Sequence, residues 1–130
     1  MCLTIKEKYS EPQIATEDIS CYKVILDNRD HKLTFYDDEG LFTPFLKEQI
    51  EIGSTYTSEF SFTGAGNIEM ALHSLINLDD CHTLIMRLLN SQHLIICSCL
   101  IPKGSRYYQG NFSGHDSYAS DKLTYLEILT

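Results

Sequence analysis

The residues best suited to chemistry fall in three places. His73 and Ser74 are adjacent and lie just before Asn77-Leu78-Asp79-Asp80, which reads as the start of a helix. Where a strand end meets a helix N-terminus, free backbone N–H groups can hold an anion. Ser74 is a candidate nucleophile there, with His73 or His82 as its base. Glu127, within Tyr125-Leu126-Glu127-Ile128-Leu129, is a candidate carboxylate at the end of a last strand. The spacing opposes a simple pair, because neighbours on a strand point to opposite faces and His73 cannot directly activate Ser74. No G-x-S-x-G elbow is present. The bland alternatives are a partly buried His73 held by backbone groups and a solvent-facing Glu127.

Cys97 and Cys99 stand two apart on an apparent strand, so they share a face, and His93 shares it too. Thiolate and imidazole suit zinc, and Cys81 with His82 begins the nearby helix. Structural zinc sites more often draw ligands from turns that converge. The preferred reading is therefore two small buried hydrophobes, with no metal and no cofactor.

The third place is residues 106–121, a polar and aromatic stretch with Arg106, Tyr107, Tyr108, His115, Tyr118 and Asp121. It reads as a long loop, and long loops in compact domains often carry function. Exposed Tyr and Arg bury much area at binding surfaces with little lost entropy. The alternative is that the tyrosines pack around a turn. Gly64-Ala65-Gly66 is a plain loop, since it lacks both G-x-G-x-x-G and a following Gly-Lys-Ser/Thr.

The elements that would position these residues are mostly strands. Residues 1–17 read as a polar arm framing a single domain over 18–130. Ile19 to Leu26 has strand composition, the turn-like Asp27–Asp30 follows, and Leu33 to Tyr36 would complete a hairpin. Ile50 to Tyr56 and Ile68 to Ile76 offer further strands. Leu78, Cys81, Leu84, Ile85, Leu88 and Leu89 recur at the spacing of one helix face, and Asn77 is a natural N-cap. A helix over 78–90 follows. His93 to Ile101 is apolar on both faces, as in a central strand. Leu123 to Leu129 closes the chain. This order implies an α+β fold with an antiparallel or mixed sheet and one main helix.

Composition bounds the partners. The formal net charge is −8, and the ten Lys and Arg form no dense basic patch. Phosphate neutralisation needs such a patch, so nucleic acid and anionic membrane surfaces are disfavoured. No apolar run nears the ~20 residues of a membrane helix, and Met1 to Tyr9 lacks an apolar signal core. Five cysteines without an export signal are expected as reduced thiols in the cytoplasm.

Three segments taken together are informative: Cys21-Tyr22-Lys23-Val24-Ile25, His73-Ser74-Leu75-Ile76-Asn77, and Ile101 to Gly110 with Tyr118 to Leu123. The set resembles a family of small uncharacterised proteins from gut Bacteroides and their phages. The resemblance covers most of residues 19–129 and implies a setting without an activity. More remotely, the chain resembles ADP-ribosyltransferases, whose β-rich core uses an early Arg or His, a Ser-bearing strand and a late Glu. Ser74 and Glu127 are the analogues here, while Tyr22 and Lys23 replace the early Arg or His.

The leading expectation is a non-enzymatic binding module that engages a protein or a small polar ligand through 106–121. The alternatives are an enzyme on a nucleotide-like substrate using His73, Ser74 and Glu127, and a self-associating structural protein, such as a homodimer through a sheet edge.

Overall fold

A computed structural model describes residues 3–5, 11–30, 39–43, 48–64, 66–87, 93–112 and 114–129. The sheet is built around β10 (Leu94–Ile101), which lies between β3 (Ile19–Asp27) and β13 (Lys122–Leu129). Its antiparallel register with β3 runs from Leu94↔Leu26 to Ile101↔Ile19. A bulge at Ser98/Cys99 shifts the register with β13. As its sequence implied, β10 is covered on both faces. Cys97, Cys99 and Ile101 enter the main core, while Leu94 and Ile96 join a second cluster with Leu84 of the helix.

The remaining strands extend this centre both ways. Beyond β13 lies the short edge strand β6 (Thr55–Thr57). Beyond β3 come β9 (Leu72–Leu75), β12 (His115–Ser120) and β11 (Arg106–Phe112), with β1 (Thr4–Ile5) and β2 (Gln13–Ile14) on the outer side of β11. β4 (Leu41–Phe42) pairs with the far end of β3 and with β5 (Gln49–Ile50). A separate two-stranded ladder joins β7 (Ser61–Phe62) to β8 (Ile68–Met70). Every pairing among the described residues is antiparallel, so the fold is sheet-dominated with one helix.

The sheet is rolled. Tyr107, Tyr118 and Leu72, from the β11–β12–β9 half, pack onto Cys21, Ile101, Leu123 and Tyr125, from the β3–β10–β13 half. Asp121 alone joins the end of β12 to the start of β13, which requires the two halves to face each other. A further turn closes the β11 side. Leu3 and Ile68 exchange backbone hydrogen bonds of 2.8 and 2.9 Å, bringing β8 beside the strand that begins the chain. Leu3, Ile5, Ile68, Ala71, Tyr108 and Ala119 are buried within that turn.

Within residues 1–17, expected as an arm, the described β1 and β2 pair with β11, and the apolar Leu3 and Ile5 are core residues. The expected strand over 68–76 is two strands broken at Ala71, because β8 turns to meet Leu3 while β9 stays on β12. The expected strand over 50–56 is likewise two, β5 and β6, separated by a turn at Gly53 with φ +90°. The proposed strand at Leu33–Tyr36 lies outside the described residues.

The helix α1 (Leu78–Arg87) forms where its spacing predicted, and the last residues of the 78–90 span lie outside the described ones. Cys81 and Leu84 are buried and Ile85 is half-buried against the sheet, but Leu78 is 37% exposed. Asp79 and Asp80 occupy the positive end of its dipole. The Asn77 side-chain amide donates to Asp80 Oδ2 at 3.4 Å.

Candidate functional site

The candidate site is a gap in the sheet. β3 and β9 pair at only one position, Tyr22↔Leu75, whereas β9 pairs with β12 along its whole length. β4 meets β3 again only at Leu26 and Asp27. Between these contacts, residues 23–25 have no strand partner on that side among the described residues. The opening forms a cavity of about 130 Å³. Tyr22, Lys23 and Val24 form one side, and β9 with Ala71 the other. Leu84 of α1, Phe112 and Ser117 close it, while Thr43, Glu48 and Glu69 also line it.

Lys23 spans the gap. Its Nζ donates to the His73 carbonyl at 2.7 Å, doing with a side chain what the missing ladder would do with backbone. Protein crowds the ammonium, although the residue keeps some accessible surface. Burial holds its pKa below the ordinary lysine value, and the nearby Cys99, Cys21 and Glu48 oppose that shift. Lys23 joins no ion pair among the described residues.

His73 faces the cavity side with Phe112, their ring centres 6.0 Å apart. Burial first, and then the Lys23 charge, push its pKa down to about 4, against a smaller opposing effect from the Glu69 main chain. The imidazole is therefore neutral near pH 7. One ring nitrogen meets the Glu69 main chain only outside hydrogen-bond geometry, and the other has no partner among the described residues. Buried polar atoms are rarely left so, and such atoms beside a cavity mark a place for a ligand or water.

Ser74 lies on the opposite face, opposite Tyr118 in the register and 3% exposed, with its hydroxyl beside the Cys21 thiol. Burial pushes the neighbouring Cys21 thiol up to about 11, and the Ser74 hydroxyl weakly opposes this. The structure thus keeps His73 from acting on Ser74, as strand alternation required.

Glu127 is not part of this site. It is exposed on β13, and the register runs from Glu127 to Ser98, then Tyr22, then Leu75. Three strand spacings, about 14 Å along the sheet, separate it from β9. The trio His73, Ser74 and Glu127 does not assemble, and the ADP-ribosyltransferase-like arrangement loses its geometry.

Residues 106–121 are not a loop but a hairpin, β11 and β12, with a tight turn at Gly114. Its polar residues and glycines misled because one face carries Tyr108 and Phe112 while the other packs Tyr107 and Tyr118 inward. Each candidate there has an internal partner. Arg106 binds Asp121 through Nε–Oδ2 at 3.1 Å and N–Oδ1 at 3.0 Å. Tyr107 and Tyr118 meet edge to face. Tyr108, 7% exposed, packs against Phe60 and Phe62. His115 Nδ1 lies 3.2 Å from Asp80 Oδ1 and ties the hairpin to α1.

Cys97 and Cys99 do share a buried face, with Cys21 opposite Cys99. The contact with Cys97, and then burial, keep the Cys99 thiol protonated, and the same contact draws Cys97 the other way. Among the described residues, no group of three or more His, Cys, Asp or Glu could hold a metal ion. Cys21, Cys81, Cys97 and Cys99 are free and buried.

Sequence reasoning found His73 but missed Lys23, Glu48, Glu69 and Phe112. The available signal was a lone lysine inside the apolar strand Cys21-Tyr22-Lys23-Val24-Ile25-Leu26. No protein-family model, curated protein or solved structure matches the chain. Among the described residues, no helix is long and apolar enough to cross a membrane.

Proposed function

We propose that this α+β domain is a non-enzymatic binding module for a small molecule, and that its site is the gap between β3 and β9. One observation carries the reading: a neutral, largely buried imidazole with at least one ring nitrogen unpartnered lies against an apolar cavity beside a lysine ammonium. A mostly apolar concavity with a few convergent polar groups is the usual form of a small-molecule site. The size fits a ligand of about six to eight heavy atoms, near the benzene-sized occupants of comparable cavities. The hairpin at 106–121 is a weaker candidate surface, because its aromatic and charged groups are occupied internally. Four buried free thiols support a reducing compartment such as the cytoplasm.

The test is nuclear magnetic resonance titration of the labelled chain with a set of small charged and neutral fragments. Saturable shifts are expected at Val24, His73, Leu75 and Phe112, and Ala71→Leu, which fills the gap, should abolish them. Shifts confined to Arg106, Tyr107 and Tyr118 would instead restore the hairpin as the binding surface.

A further inference from the structure

The charges around the gap are ordered, and their order limits what can occupy it. The innermost charge is the Lys23 ammonium. It donates one hydrogen bond, to the His73 carbonyl, which leaves two of its three N–H groups without an acceptor among the described residues. Glu48 acts on this cation from beyond ion-pair distance and no described carboxylate touches it, so an anionic group beside it is favoured. Val24, Leu75, Leu84 and Phe112 supply apolar lining beside it. Glu48 and Glu69, also lining the cavity, are exposed. Neither joins an ion pair among the described residues.

A plain carboxylate suits the interior but must pass two carboxylates on a chain of net charge −8. A plain amine suits the rim but meets Lys23. A molecule carrying both charges and a short apolar body meets neither repulsion. We infer that the gap binds a small amino-acid-type zwitterion, with its carboxylate at Lys23 and its ammonium toward Glu48 and Glu69. The inference rests on the gap being a ligand site and adds the class of ligand.

Four probes of one shape separate the possibilities: L-valine, isovalerate (no ammonium), isobutylamine (no carboxylate) and isovaleramide (neutral). Each is titrated into the full chain while the His73 and Leu75 signals are followed. L-Valine is expected to saturate at concentrations about tenfold lower than any of the others, since mismatched or missing charges weaken association. Glu48→Gln with Glu69→Gln should bring isovalerate level with L-valine. Lys23→Met should reduce L-valine to the level of isobutylamine. Urea midpoints of these variants confirm that each is folded. Equal binding of isovaleramide and L-valine overturns the zwitterion while leaving a working ligand site. Failure of L-valine to saturate also overturns it, and the ligand site itself is then judged by the fragment titration.

Discussion

Burial holds the His73 imidazole neutral down to about pH 4, whereas the unfolded chain protonates it near the ordinary 6.5. Between those values the unfolded state binds the proton more readily, so stability falls as pH falls. The full effect is on the order of 3 kcal/mol, present above pH 6.5 and lost by about pH 4. His73→Leu should flatten this part of the stability profile, as urea midpoints measured from pH 7 to pH 4 would show. A profile as steep as that of the wild type would assign the acid sensitivity elsewhere. Lys23 carries the complementary cost, since its pKa is also lowered by burial. Replacing a crowded, unpaired charge with an apolar side chain often stabilises, so Lys23→Met should raise stability by about 1 kcal/mol in urea denaturation. His73 was legible in the sequence as a titratable group before a helix. Lys23 was not, because a strand pattern does not reveal where a ladder will be interrupted.

At the scale of elements, periodicity was a good guide where one face dominates and a poor one where both faces are occupied. The apolar spacing in α1 located its buried Cys81 and Leu84. The hairpin of β11 and β12 escaped because each of its two faces mixes tyrosine and serine with other polar residues, so neither reads as apolar. Its necessary glycine is Gly110. A Cβ there would stand 2.3 Å from the Thr4 carbonyl oxygen, backbone that cannot swing aside. Gly110→Ala should therefore push β1 away and cost on the order of 2 kcal/mol, the usual scale for overpacking. Thermal melting measures the loss, and increased amide exchange at Ile5 would locate it. Unchanged exchange at Ile5 would mean that β1 tolerates the added methyl.

For the whole molecule, the chain's first residues close the second turn of the sheet. Leu3 is fully buried and exchanges hydrogen bonds with Ile68. Leu3→Ala should cost about 2–5 kcal/mol, as for other buried leucines, and the urea midpoint should fall accordingly. A loss below about 1 kcal/mol would show that this turn is only loosely tied to the rest. The sequence could not disclose such closure: a mostly polar stretch with scattered apolar residues looks like an arm until the partners of Leu3 and Ile5, Ile68 and Gly110, are brought alongside.

The single β3–β9 pair also has a mechanical meaning. It is a seam between the two halves of the rolled sheet, and the chain crosses it repeatedly, after β2, β6, β9, β10 and β12. Such lacing prevents either half from swinging away as a separate flap, while the seam itself is tied by far less backbone pairing than the ladders on either side. An occupant gripping Lys23 on one side and His73 on the other would act as a rivet across that seam. Its arrival would then be felt as stiffness throughout both halves, well beyond the few residues it touches.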